Sequence, residues 1–171
     1  MGLDTKSRPS RYEDVLGQDA TKQILRQIVA AGAGCRQSCI FAGPYGTGKT
    51  TIARILARAI LCAAPVHGDP CDQCESCRRM LDPAGNVDFV EVDAATRSGK
   101  ADVLRVLEDL AYDEGMGRRR LYLWDESHQL SPDALDAMLI PMEEVREGTR
   151  DKRLVNIFCT TEADKMRPTI L

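Results

Sequence analysis

Apolar positions along the chain recur at two pitches, and segments of the two kinds alternate. "QDATKQILRQIVAA" (18–31) sets Ile24, Leu25, Ile28 and Val29 at helical spacing, with Asp19 placed to cap the helix start. A short apolar run, Cys39–Ala42, leads into a glycine-rich turn, after which Ile52, Ile55, Leu56 and Ile60 mark a helix with one buried face. "VDFVEVD" (87–93) interleaves Val87, Phe89, Val90 and Val92 with acids and reads as a strand. "KADVLRVLEDLAY" puts Val103, Leu104, Leu107 and Leu110 on one helix face. "RRRLYLWDE" (118–126) is a strand ending in two acids, and "RLVNIFCTT" (153–161) is a fourth strand. Between them, "SPDALDAMLI" opens with Ser131 as cap and Pro132 at the first helical position. Strands alternating with helices predict an α/β fold whose parallel sheet is covered on both faces.

Composition narrows the class. A chain of 171 residues suits one domain, 1–171, with a core built chiefly from Ala, Val, Ile and Leu because aromatics make up only 5%. The net charge of -3 gives no general attraction to nucleic acid. No apolar run approaches the roughly 20 residues of a membrane span, and the first residues lack a signal-peptide core. A cytoplasmic location is expected, with no membrane partner, and there the seven cysteines stay reduced.

"GPYGTGKTT" (43–51) contains G-x-x-x-x-G-K-T between an apolar strand and an amphipathic helix. Glycines 43, 46 and 48 let the backbone turn its N–H groups inward onto an anion, and the following helix adds its positive end. Gly43, Pro44, Tyr45, Gly46, Thr47, Gly48, Lys49, Thr50 and Thr51 are therefore the expected cradle of ATP. Lys49 would reach the β- and γ-phosphates, and the Thr50 hydroxyl would hold Mg²⁺. In "LYLWDE" the strand carries Asp125 to the edge of the sheet where α/β folds bind ligands. Asp125 is the expected second Mg²⁺ group, and Glu126 the group that polarises the attacking water.

Cys62, Cys71, Cys74 and Cys77 follow the pattern C-x8-C-x2-C-x2-C in a polar stretch containing two prolines and a glycine. Four thiolates close a tetrahedral Zn²⁺ site of the structural type, here a module inserted at about 62–80. His67 is a possible substitute ligand, and an Fe–S cluster is the other group four cysteines hold. Cys35, Cys39 and Cys159 lie in or beside apolar segments and are expected in the core.

A phosphate loop followed by this cysteine insertion resembles the gamma/tau family of bacterial DNA polymerase III subunits, the clamp-loader ATPases of the AAA+ class. The resemblance runs from "SRPSRYEDVLGQ" through "GPYGTGKTTIARILARAILC", "PCDQCESC", "VDFVEVDAATRSGKADV" and "LYLWDESHQLS" to "FCTTEADKMRPTIL". It implies a RecA-like P-loop core that loads a sliding clamp on primer–template DNA within a ring of clamp-loader subunits. It also implies that Arg8, Pro9, Val15 and Gln18 hold the adenine side. Thr161, helped by Thr160, would sense the γ-phosphate.

Three departures qualify the resemblance. Ser7 stands where the family usually has an aromatic residue. Ile140-Pro141 replaces a basic residue and a threonine, and Pro141 is expected to kink its helix. The chain stops at "RPTIL", before the family's Ser-Arg-Cys motif, so that Arg167 precedes the arginine finger and the fifth strand, lid and collar are expected to be absent. The phosphate-loop strand should then lie at a sheet edge. DNA contact would come from Thr96, Arg97 and Lys100 near a helix start. Two other readings stand beside the motor: a scaffold subunit that holds nucleotide without turning it over, and a zinc-containing DNA-binding module.

Overall fold

In a computed structural model of the chain, the structure describes residues 9–31, 38–82, 85–112, 119–147 and 154–166. Arg8, Ser7, Cys35 and Arg167 lie outside them. Four strands, β1 (Cys39–Ala42), β2 (Phe89–Asp93), β3 (Arg120–Asp125) and β4 (Leu154–Thr160), alternate with helices. The helices are α1 (Asp19–Ala30), α2 (Lys49–Leu61), a short α3 (Glu75–Arg79), α4 (Lys100–Tyr112) and α5 (Pro132–Glu147). All strand pairs are parallel, in the order β1-β4-β3-β2. Among the described residues β1 is an edge strand, as expected. The order sets β4 between the phosphate-loop strand and the acid strand, so the carboxyl ends of all three converge on one rim.

Two cores form, one on each face of the sheet. On one face α1 and α2 pack Leu25, Val29, Ile52, Leu56 and Ala59 against Leu121, Leu123, Val155 and Ile157. On the other, Val103, Leu107, Leu135 and Met138 of α4 and α5 meet Tyr122, Trp124 and Phe158. Alternate residues of β3 and β4 therefore serve opposite cores, and both strands are apolar almost throughout. The aromatics, though few, do much of the filling: Trp124, Tyr12, Tyr122 and Phe158 are the largest fully buried side chains. The expectation of a core built from Ala, Val, Ile and Leu was too narrow, because residue volume matters more there than residue count.

Several local expectations change. Gln18 caps α1 in a left-handed conformation (φ 56°), and Asp19 lies in the first turn, paired with Lys22 Nζ at 2.8 Å. Ile24 is 56% exposed, because the face of α1 that meets the sheet is centred on Leu25 and Val29. Val87 precedes β2 and is exposed, and in α4 it is Val106 that is buried with Val103 and Leu107, while Leu104 faces outward. The first turn of α5 forms as expected, with Ser131 Oγ accepting from the Ala134 amide at 3.2 Å. Helix α5 runs through Pro141 to Glu147. Cys159 is fully buried in β4 and Cys39 half-buried in β1.

A buried polar pair crosses the second core: Trp124 Nε1–H donates to Asn156 Oδ1 at 3.0 Å. Removing one partner leaves the other unpaired inside the protein, whereas removing both does not. Asn156→Leu is therefore expected to cost about 2 kcal/mol in urea unfolding. Adding Trp124→Phe to it should give a double variant less destabilised than the two single losses combined.

Candidate functional site

The turn after β1 is held open by its glycines. Gly46 and Gly48 take φ +79° and +81° with open space where a Cβ would stand, so conformation and not crowding demands glycine there. Gly48 caps α2, and the helix's first amides face the turn. Lys49 Nζ donates to the carbonyls of Gly43 and Pro44, both at 2.9 Å, folding back over the loop. Thr47 Oγ1 donates to Pro44 O at 2.9 Å, and the Gln18 side-chain amide donates to Thr47 O. Gln18 thus reaches the loop from the start of α1. Pro9 and Val15 are half-buried, Val15 packing on the core beside α1 and α2. Tyr45 is 89% exposed at the tip of the loop.

The acid motif meets the loop directly. Thr50 Oγ1 donates to both oxygens of Asp125, at 2.9 and 3.0 Å. A hydroxyl and a carboxylate this close, beside a helix N-terminus, are oxygen donors of the kind that could hold a hard cation. Glu126 takes φ 49°, a left-handed conformation uncommon for a residue with a side chain. It begins the turn of Ser127–Gln129. Thr160 ends β4 fully buried. Its carbonyl accepts from Gly43 N at 3.2 Å, and its hydroxyl stands 3.3 Å from His128 Nδ1. Thr161 follows, half-buried. Of the two threonines it is Thr160 whose hydroxyl faces the acid motif. Burial beside Asp125 pushes the Cys159 thiol up, so it stays protonated under the rim.

The four cysteines come together. Their sulfurs lie within 4.8 Å of one another, and Cys62 and Cys74 Sγ are 4.0 Å apart. A tetrahedral Zn–S₄ cage needs sulfurs about 3.8 Å apart, given Zn–S of about 2.3 Å. Backbone amides of Cys71, Cys74 and Cys77 donate to Sγ of Cys62, Cys71 and Cys74 at 3.3, 3.3 and 3.5 Å, as suits thiolate acceptors. The amides of Cys74 and Gln73 lower Cys71, and at Cys74 burial is outweighed by the amides of Ala63 and Cys77 with the thiols of Cys77 and Cys71, which hold it at about 6. Burial pushes Cys62 and Cys77 up. His67 is exposed and stands outside this group. Although the stretch is polar, Cys62 and Cys77 are buried, because Cys62 caps α2 and Cys77 packs on that helix.

The module is fastened to the rest of the fold by arginines that sequence reasoning passed over. Arg58, 4% exposed on α2, bonds Cys77 O and Ser10 O and pairs with Asp72 at 2.6 Å. Arg11 takes the other Asp72 oxygen. Arg26 of α1 pairs with Asp69 at 2.8 Å and lies over the Tyr12 ring. Arg54 and Arg58 both stand among apolar residues of α2, so the helix pattern did not single out Arg58. Asp72 and Asp69 are the partners of Arg58 and Arg26. Thr96, Arg97 and Lys100 are exposed beyond the carboxyl end of β2, where Asp93 caps the turn by accepting from Ala95 N at 2.9 Å.

The strand order, the glycine turn opening α2 and the acids ending β3 define a parallel-sheet P-loop NTPase core of the AAA+ kind, with a four-cysteine insertion. Solved structures share this fold. The Thermotoga maritima RuvB Holliday junction branch migration motor superposes with a TM-score of 0.60 at 18% identity, over 95% of this chain and 44% of that one. A DNA polymerase III gamma subunit-related protein from the same organism gives 0.54 at 15% identity, over 86% and 42%. The family model for "DNA polymerase III, delta subunit" matches residues 17–171, and the chain belongs to that family. Among named relatives, DNA polymerase III subunit gamma/tau of Mycobacterium tuberculosis is 37% identical over 99% of this chain. Subunit tau of Escherichia coli is 34% identical over the same share. The chain spans 28% and 25% of those two proteins. No helix among the described residues is long and apolar enough to cross a membrane.

The turn Val66–Asp69 sets Gly68 (φ +86°) against the Arg26 backbone, where an added Cβ would stand 2.4 Å from the carbonyl oxygen. Gly68→Ala meets both a forbidden conformation and a fixed backbone. It is expected to lower stability by about 2–3 kcal/mol in urea unfolding. A substitution to alanine at exposed His67, on the same turn, should cost much less.

Proposed function

We propose that the chain is the ATP-binding and ATP-hydrolysing core of a clamp-loader subunit of DNA polymerase III, acting in DNA replication. The observation that carries this reading is the Thr50–Asp125 contact, which joins the phosphate loop to the acid strand across β4. A phosphate loop without that contact would be a weaker candidate for phosphoryl transfer. The gamma/tau relatives support the assignment to replication.

In this reading the amides of residues 46–50 and Lys49 hold the triphosphate, Lys49 leaving the Gly43 and Pro44 carbonyls for the β- and γ-phosphates. Mg²⁺ between Thr50 and Asp125 would neutralise charge on the β- and γ-oxygens. Glu126 orients a water and takes its proton as the water oxygen bonds to the γ-phosphorus. The bond to the bridging oxygen breaks, releasing ADP and phosphate. Thr161 and Thr160 at the tip of β4 sense the γ-phosphate. The work is conformational: ATP binding closes a ring of such subunits around the sliding clamp and primer–template DNA, and hydrolysis opens it. Zn²⁺ in the thiolate cage at Cys62, Cys71, Cys74 and Cys77 is structural, since four ligands leave no open position.

By the resemblance, a neighbouring subunit supplies an arginine to the transferred phosphate, worth about 10³ to 10⁵ in rate in related enzymes. The isolated chain is therefore expected to bind Mg²⁺–ATP in calorimetric titration yet turn over slowly, and to accelerate at least a hundredfold with its neighbours. Lys49→Ala should abolish binding and, in the assembled ring, clamp loading. A subunit that merely scaffolds the ring would tolerate it.

Elemental analysis should find one zinc per chain. Cys77→Ser is expected to lose it and to lower the melting temperature by about 10 °C, at the 2–4 °C per kcal/mol of a domain this size.

A further inference from the structure

A buried imidazole beside the acid motif takes no part in the reaction set out above. The His128 side chain is 6% exposed and touches polar groups from two elements. From its own turn, Glu126 Oε2 stands 3.5 Å from Nδ1 and the Gln129 amide nitrogen 3.1 Å from Nε2. From the tip of β4, Thr160 Oγ1 stands 3.3 Å from Nδ1 and Glu162 Oε1 3.4 Å from Nε2. Glu162 is also paired with Lys165 at 2.7 Å, and Thr160 Oγ1 accepts from Glu162 N at 3.0 Å.

Each ring nitrogen thus has an acceptor within reach: the Glu126 carboxylate and the Thr160 hydroxyl at Nδ1, the Glu162 carboxylate at Nε2. A hydrogen on Nδ1 faces Glu126 Oε2 and leaves Nε2 to accept from the Gln129 amide. Glu126 needs such a restraint, because it starts a turn in a left-handed conformation and its side chain is one-third exposed. A general base acts only within hydrogen-bond reach of the water it activates, and a base is commonly oriented by a third group.

We propose that His128 is a positioning residue for Glu126: its Nδ1–H sets the carboxylate's direction and ties it to Thr160, so that the tip of β4 and the base move together. The proposal rests on the ATPase reading, deepening it by naming how the γ-phosphate-facing strand communicates with the base. His128 touches no substrate in this scheme.

The nitrogens of asparagine and glutamine separate the two ring positions. Asparagine can present an N–H near Nδ1, glutamine near Nε2, and the two are close in size. The test is carried out on the full chain with Mg²⁺. ATP affinity is read by equilibrium dialysis, and the hydrolysis constant under single turnover with protein in excess. His128→Ala is expected to bind ATP within about twofold of the parent and to hydrolyse it about ten- to a hundredfold more slowly, the usual cost of losing an orienting partner. His128→Asn should recover most of the rate, and His128→Gln should not. In a Glu126→Gln background, His128→Ala should have no further effect.

An unchanged rate in His128→Ala would overturn the proposal. So would equal rates for the Asn and Gln variants, a loss of affinity as large as the loss of rate, or additivity with Glu126→Gln. If instead the parent fails to bind Mg²⁺–ATP, or Glu126→Gln leaves hydrolysis unchanged, the ATPase reading itself falls and this proposal with it. Those outcomes do not involve His128 variants, so the two failures are distinguishable.

Discussion

The hydrogen bonds from Thr50 to the Asp125 carboxylate hold the candidate site together. The two residues are 75 positions apart in the chain, and their strands are not neighbours, since β4 lies between β1 and β3. Only a parallel sheet with this order brings the helix start after one strand to the carboxylate ending another. The two apolar cores enforce that order, one on each face, so the position of a polar contact is set by aliphatic and aromatic packing far below it. Once the rim is assembled, the helix start, the lysine and the carboxylate form a charge pattern complementary to a metal-bound triphosphate.

A second set of polar contacts attaches the cysteine module. Arg58 is buried in the body of α2 and must have charge partners there. Asp72 and two carbonyls supply them. A charge in that position is not the cheapest way to stabilise a helix face, but it is directional. It fixes which side of the module meets α2 and ties the residue before Arg11 to the same point. The turn at Gly68 and the Arg26–Asp69 pair fasten the other side to α1, and α1 begins at Gln18, whose side chain reaches the phosphate loop. The cysteine cluster and the glycine-rich loop therefore share two helices.

Much of the fold was legible because its signals are local. The glycine turn, the acids ending β3, the proline opening α5 and the alternation of strand and helix each carry a mechanism within a few residues. Boundaries were less legible. Asp19 has the chemistry of a cap, but Gln18 takes the cap position because Gly17 and Gln18 both turn left-handed to bring the loop to α1. Ile24 and Leu104 fit their helical stripes by spacing and are nevertheless exposed, since the face a helix buries is fixed by what it packs against. In the candidate site, the glycine turn and the clustering of the cysteines were legible from their spacing. Arg58, Asp72 and His128 were not, because their roles depend on partners distant in the sequence, and a single buried arginine or histidine has no pattern to reveal it.

Helix α2 begins in the phosphate loop and ends against Cys62, with nearly every residue from Ile52 to Ile60 buried. It acts as a ruler. Its 13 residues fix the cradle and the first thiol about 20 Å apart and set the angle between them. Inserting or deleting one residue would rotate one end against the other by about 100°, swinging Cys62 off its cage or Lys49 off its loop. Length variation is not tolerable in this rod, so this protein and its relatives should keep it to the residue.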